Sequence, residues 1–307
     1  MKRIGLIDVD SHNFPNLALM KLSAYHKSQG DMVEWYMPFA DRYDIVYISK
    51  VFSFTPDYGF CVNADKVIRG GTGYAIRLVD GKEVYDKSKD ISLPDEIEHI
   101  YPDYTLYPNN NDTAYGFLTR GCPRGCQFCI VAGKEGQRSR KVADLSEFWR
   151  GQKKIVLCDP NILACREWKD LLQQLIDSKA EIDFNQGLDI RLMTDEKAQM
   201  IKRLKVKEIH FAWDRYEDKD KVLPKLKLFA DYNKINAHNA IVYTIVNFST
   251  TLEEDLDRIY TLRDMGYWPY VMIYDKEHCR REYRDLARWV NNRFVFAKCD
   301  RFENYVR

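Results

Sequence analysis

Short apolar runs of strand length recur along the whole chain, mostly separated by stretches with helical spacing. This alternation admits few folds other than parallel α/β. Arg3 to Val9 (RIGLIDV) is the first such run. Asn16 to Ser28 then carries Leu17, Leu19, Met20, Leu22, Ala24 and Tyr25 at helical spacing, with Gly30 as a C-cap. Met32 to Tyr36, Asp44 to Val51 and Lys66 to Arg69 read as further strands, the last ending at Gly70-Gly71. Residues 1–80 therefore predict a small doubly wound parallel α/β domain of Rossmann type. Residues 81–112, charged and rich in Pro and Asn (DKSKD, YPNNND), predict a linker.

From Thr113 the alternation resumes. Strands are expected over Tyr115 to Thr119, Lys154 to Cys158, Ile182 to Phe184, Glu208 to Ala212, Ala240 to Val246 and Tyr270 to Tyr274. Helices are expected over Ala164 to Ser178, Asp195 to Leu204, Lys221 to Tyr232 and Leu252 to Met265, with Thr251 and Glu254 as a capping box for the last. Six such units in 113–307 predict a partial (β/α)6 barrel, in which chemistry sits at the C-terminal ends of the strands.

Composition bounds the partners. Lys plus Arg number 47 against 46 Asp plus Glu, so bulk charge makes no case for nucleic-acid binding and leaves only local basic patches. The 45% apolar share supports a real core. No apolar run approaches the ~18 residues of a membrane span. The start MKRIGLIDVD lacks the apolar stretch and cleavage site of a signal peptide, so a cytoplasmic protein without membrane contact is expected.

Of the cysteines at 61, 122, 126, 129, 158, 165, 279 and 299, three crowd into Cys122-Pro-Arg-Gly-Cys126-Gln-Phe128-Cys129. In a large chain expected in the cytosol such clustering points to metal rather than disulfides. Three thiolates are soft ligands suited to iron–sulfur clusters, and Gly121 and Gly125 let the backbone curl around a bulky inorganic core. Structural zinc wants four ligands, usually as paired short spacings. Here the next cysteine is Cys158 and no His closely follows Cys129.

The Cys-x3-Cys-x2-Cys spacing with aromatic Phe128 before the third Cys resembles the signature of the radical S-adenosylmethionine (SAM) superfamily. The wider stretch AYGFLTRGCPRGCQFCIV resembles the branch with an N-terminal cobalamin-binding-like domain, near the methylthiotransferase-like members. The resemblance implies a 4Fe-4S cluster on Cys122, Cys126 and Cys129 that leaves one iron open to SAM. It implies a 5′-deoxyadenosyl radical that abstracts hydrogen from a substrate, with flavodoxin or ferredoxin as reducing partner. It also places Phe128 against the adenine.

Further SAM contacts are expected at successive strand ends. Asp159 and Asn161 stand where the family often has Gly-Gly-Glu and can accept from the SAM ammonium, or serve as a cap and turn. In Asp183-Phe-Asn185-Gln186-Gly187-Leu-Asp189-Ile-Arg191, Arg191 is expected to pair with the SAM carboxylate and Asn185 and Gln186 to hydrogen-bond its polar groups. An ion pair between Asp189 and Arg191 is the plainer reading. Asp214 is placed for a ribose hydroxyl, and Asn247 for the same pocket.

Cobalamin is not expected in the front domain. Pro15 stands where an Asp-x-His-x-x-Gly motif has its glycine, and four strands are too few for the usual bed. Arg138 and Arg140, and the C-terminal Arg280, Arg281, Arg284, Arg288 and Arg293, read either as solvated faces or as contacts for an acidic electron donor or a phosphate-bearing substrate. Competing functions are a cobalamin-dependent radical SAM methyltransferase, and a non-catalytic iron–sulfur or zinc module contacting nucleic acid or a protein partner.

Overall fold

A computed structural model describes residues 1–12, 14–79 and 82–305. In chain order its first elements are β1 (Arg3–Asp8), α1 (Leu17–Ser28), β2 (Met32–Trp35), β3 (Tyr43–Ser49), β4 (Ala64–Gly70), α2 (Thr72–Ala75), β5 (Ile76–Val79), β6 (Lys82–Tyr85), α3 (Asp95–Glu98) and β7 (Thr113–Gly116). Next come β8 (Thr119–Arg120), α4 (Val131–Glu135), β9 (Arg140–Lys141), β10 (Lys154–Leu157), α5 (Trp168–Ser178), β11 (Glu181–Phe184), α6 (Asp195–Lys202) and β12 (Lys205–Val206). The chain closes with β13 (Ile209–Ala212), α7 (Lys219–Tyr232), β14 (Ala240–Val246), α8 (Leu252–Asp264), β15 (Trp268–Ile273), α9 (Arg281–Asn291) and α10 (Arg293–Lys298). The class is α/β with parallel sheets.

Two compact units divide these elements. The first comprises Met1–Phe117, Gly121–Gln137 and Val142–Ile155, and the second Leu118–Arg120, Arg138–Lys141 and Val156–Arg307. The division differs from the expected one at 80/81, which falls outside the described residues, and it assigns the cysteine loop to the first unit.

In the first unit a parallel sheet runs in the order β2-β1-β3-β4, so the direction of winding reverses between β1 and β3. The register sets Ile4 beside Val33 and Ile45, and α1 covers this face with Leu19, Met20 and Leu22. Asn16 caps α1 through its side chain, which accepts the Leu19 N–H at 3.2 Å.

The segment expected to be a linker belongs to this unit, and after the β5–β6 hairpin it straps α1. Ile97 and Leu106 join Ile4, Leu6 and Met20 in one apolar cluster. Lys21 Nζ donates to Glu98 Oε1 at 2.9 Å, Ser23 and Lys27 both donate to Asp103 at 2.6 Å, and the Tyr107 hydroxyl donates to Asp8 at 2.6 Å. Burying those apolar side chains is what holds the segment in place, at ~25 cal/mol per Å² of apolar surface removed from water.

In the second unit β12, β11 and β10 lie side by side in one sheet and β13, β14 and β15 in another, with β11–β12 and the β13–β14–β15 pairs parallel. The strands expected from Lys154 to Tyr274 thus appear, with the short β12 added, in two sheets rather than one run, whereas the run expected over Tyr115 to Thr119 is broken into β7, in the first unit, and the short β8. The loop after β11 reaches across to β13, where Leu188 N–H donates to His210 O at 2.8 Å. Gly187 turns that corner at φ +75, and a side chain there would meet His210 O at 3.1 Å. The helices present apolar stripes to the sheets, as with Leu171, Leu172, Leu175 and Ile176 on α5. The Thr251/Glu254 capping box forms as its sequence requires.

Candidate functional site

The cysteine loop is built by its backbone. Cys122 N–H donates to Gly136 O at 3.1 Å and closes the loop, and Cys129 N–H donates to Cys126 O at 3.0 Å in a tight turn. Gly121 (φ 87) and Gly125 (φ 58) take left-handed conformations that a side chain would strain. Cys122 and Cys126 are half-buried and Cys129 is exposed. α4 follows at once, and its Lys134 donates to the Thr72 hydroxyl at the start of α2.

Among the described residues no three His, Cys, Asp or Glu side chains already stand together as a metal-ligand group. The fit of the loop to a cluster therefore rests on its donor set and backbone. Three sulfurs lie on one closed loop, and its glycine bends keep side chains away from where the chain curls. That set suits iron–sulfur chemistry and is one ligand short of structural zinc.

The second unit gathers most of the remaining expected residues at its strand ends. Asp159, just past β10, is buried with both carboxylate oxygens engaged. Oδ1 accepts the Thr119 N–H at 2.5 Å and the Thr119 hydroxyl at 2.7 Å, and Oδ2 accepts the Leu118 N–H at 3.1 Å. Burial pushes its pKa up to about 6, against the pull of these donors. Asp159 thus anchors the strand that leads into the cysteine loop. Beside it, burial pushes the Cys158 thiol up to about 12, with Asp159 and Asp183 adding to the effect.

Asn161 is buried. Its side-chain amide donates to Asp189 Oδ2 at 3.2 Å, and its backbone carbonyl accepts the Ser139 hydroxyl at 2.8 Å. Asp189 in turn accepts Arg191 Nε–H at 2.8 Å, and Arg191 Nη1 reaches Asp218 at 3.2 Å. Burial works against the Arg191 charge, but the two carboxylates more than offset it and hold its pKa above the ordinary value. The ion pair of the plainer reading is therefore present, and Arg191 is held as the centre of an Asn161–Asp189–Arg191–Asp218 chain.

Asn185 and Gln186 differ. Both side chains are exposed just past β11, while the Asn185 backbone is fixed by an N–H bond to Leu157 O at 3.1 Å. Asp214 stands at the end of β13, where burial raises its pKa above the usual carboxylate range and Ile245 N–H is a long donor at 3.3 Å. Asn247, left-handed at φ 61, spends its amide on Tyr274 O at 2.9 Å. Phe128 lies in the loop of the first unit.

Sequence reasoning missed Arg258 and Asp255, both fully buried on α8. Arg258 donates to the carbonyls of Trp213 (2.6 Å), Asp214 (2.9 Å) and Ile245 (2.8 Å), and pairs with Asp255 at 2.5 Å. It ties together the ends of β13 and β14 that present Asp214. Their place on the stripe of Ile259 and Leu262 was the available signal.

The C-terminal arginines line up as a solvated face. Arg281 and Arg288 flank Asp285 at 3.5 and 3.8 Å, Arg280 pairs with Glu282 at 3.3 Å, and Arg284 bonds the carbonyls of Lys276 and Glu277. The other side of α9 buries Tyr283, Leu286, Trp289 and Val290. No family model matches the chain, and no curated protein is significantly similar to it. Among the described residues no helix is long and apolar enough to cross a membrane.

Proposed function

We propose that the chain is a radical SAM enzyme. The observation that carries the reading is the closed Cys122–Cys126–Cys129 loop, whose three soft donors and two left-handed glycines suit a three-ligand iron–sulfur site. Cys122, Cys126 and Cys129 would hold a 4Fe-4S cluster, which would supply the electron for reductive cleavage of SAM and, through it, radical abstraction of hydrogen from the substrate. The protein's part is to hold, orient and keep water from the reactants.

In this reading the two parallel sheets of the second unit are parts of a partial (β/α)6 barrel, with its working groups at the C-terminal strand ends. Asn185 and Gln186 carry the polar contacts to SAM, because their side chains are exposed there. Asp214 accepts a ribose hydroxyl. Arg191 keeps donors beyond the two that Asp189 and Asp218 engage, and these meet the SAM carboxylate. Reduced flavodoxin or ferredoxin is the electron source.

The test is anaerobic reconstitution with iron and sulfide, reduction, and assay for 5′-deoxyadenosine from SAM. The reading expects about four irons per chain, product from the wild type, and none from Cys126→Ala. A fully loaded, reduced wild type that yields no 5′-deoxyadenosine overturns it. One zinc per chain favours the non-catalytic module instead.

A further inference from the structure

One face of the β13–β14–β15 sheet carries an aromatic corner that the SAM contacts proposed for Asn185, Gln186 and Asp214 do not include. Parallel pairing puts partnered residues on the same face, so the register builds this surface in rows. His210, Ile241 and Trp268 form the first row, Ala212, Tyr243 and Tyr270 the second, and Ile245 and Met272 the third. The opposite face keeps Phe211, Val242 and Val271 out of water. On this one Tyr270 is 40% and Met272 51% exposed, and Ala212, Tyr243 and Ile245 are half-buried.

The rows are continuous from strand to strand. The Tyr243 and Tyr270 ring centroids stand 5.6 Å apart with the planes at 85°, so the rings meet as two walls of a corner. His210 stacks on Tyr243 at 5.3 Å and 9°, which extends one wall. Ala212, the small member of the second row, leaves β13 low beside Tyr243. Ile245 and Met272 add apolar surface one row further along the strands.

The potential at this corner is negative. Ring faces carry the negative part of the aromatic quadrupole. The ionised groups that act on the Tyr243 hydroxyl are Glu208 and Asp183; with burial as the largest cause, they and Tyr270 hold its pKa above the ordinary value. None of the row residues is Lys or Arg. In the first row the chain itself answers such a surface with a cation, since Arg293 lies over the Trp268 ring at 5.1 Å and reaches Glu208 at 3.6 Å. The second row repeats the pairing of ring and carboxylate without the arginine.

We infer that this corner binds an organic ammonium group of the substrate, an alkylated amine whose cation sits between Tyr243 and Tyr270 with Asp183 as counter-charge. The inference rests on the radical SAM reading only in calling the occupant a substrate. Ring faces attract a cation through their quadrupole, and a carboxylate adds to that attraction. An alkylated ammonium also has apolar surface to lay against Ile245 and Met272. An anion is repelled by Glu208 and Asp183, and a neutral group of the same shape gains burial alone.

Isothermal titration calorimetry of the anaerobically purified full chain tests this, with choline as probe and, as its neutral isostere, the dimethylbutanol in which carbon replaces the ammonium nitrogen. Choline is expected to bind about tenfold more tightly than the isostere. Tyr270→Leu and Asp183→Asn are each expected to weaken choline by about tenfold. The melting temperature of Tyr270→Leu is expected to stay unchanged, because its side chain is partly exposed. No choline binding, equal binding of the two ligands, or full choline affinity in both variants overturns the inference. So does one-for-one displacement of choline by SAM on the reconstituted chain, since the corner then holds the SAM sulfonium. Binding is read without turnover, so a failure to form 5′-deoxyadenosine leaves this result standing, and a failure to bind choline leaves the cluster reading standing.

Discussion

The Asp159 carboxylate accepts both the backbone N–H of Thr119, at 2.5 Å, and its hydroxyl, at 2.7 Å. One buried side chain after β10 thus fixes the strand that enters the cysteine loop, and it does so with a raised pKa of about 6. A carboxyl whose folded pKa lies above its unfolded one favours the folded state most when protonated. Its contribution is complete below the unfolded value, about pH 4, and is lost as pH rises through about 6. Asp159→Asn does not titrate. Between about pH 4 and 7 the wild type is expected to lose about 2 kcal/mol relative to this variant. Urea unfolding of the metal-free protein at several pH values measures the difference, and a constant gap across that range contradicts the raised pKa.

Cys158 follows the same burial logic with the opposite consequence for metal. Its thiol, pushed up to about 12, stays protonated at neutral pH and is a poor ligand beside the partly exposed Cys122, Cys126 and Cys129. Iron per chain after reconstitution is expected to be unchanged in Cys158→Ala and sharply reduced in Cys129→Ala. Equal loss in both variants places Cys158 among the ligands.

Arg258 and Asp255 form an ion pair that is wholly out of water. Removing one member strands the other's charge, so Arg258→Met is expected to cost about 3–5 kcal/mol in chemical denaturation. Arg258→Lys does not rescue it, because one ammonium lacks the fork that reaches the Trp213, Asp214 and Ile245 carbonyls together. The double variant Asp255→Leu/Arg258→Met is expected to be more stable than Arg258→Met alone, since no lone carboxylate stays buried. A double variant less stable than the single one shows that the lost carbonyl bonds dominate.

The strands were legible because each is a short apolar run, and the register of β1 with β3 follows from Ile4, Leu6, Ile45 and Tyr47. The cysteine loop was legible because its spacing is local. The strap at 81–112 was not, since its prolines and charges mask a slower rhythm in which Leu93, Ile97, Ile100, Tyr104 and Tyr107 all reach the same core. Arg258 stayed hidden for a related reason. A charge on a helix reads as solvent-facing until its partners, here strand-end carbonyls far along the chain, are known. Asp159 and Arg191 were correctly picked out as strand-end polar groups, but sequence could not tell that carboxylates and amides of the same unit already engage them. Polar residues at a strand mouth look alike whether they face a ligand or one another.

Asn185 and Gln186 separate these two cases. Their exposed side chains leave little stability at stake, so Asn185→Ala and Gln186→Ala are each expected to change unfolding free energy by less than about 0.5 kcal/mol. A hydrogen bond to a bound polar group is worth about 0.5–1.5 kcal/mol, and more when the group is charged. Each variant is therefore expected to weaken SAM binding by up to about tenfold, and the pair by more. Asp189→Asn should behave the other way round, because it breaks the buried links to Asn161 and Arg191 and so costs stability first. Equilibrium binding of SAM alongside urea melts for the three variants reads both effects. Unchanged affinity in the Asn185/Gln186 double variant moves the SAM contacts away from the β11 loop.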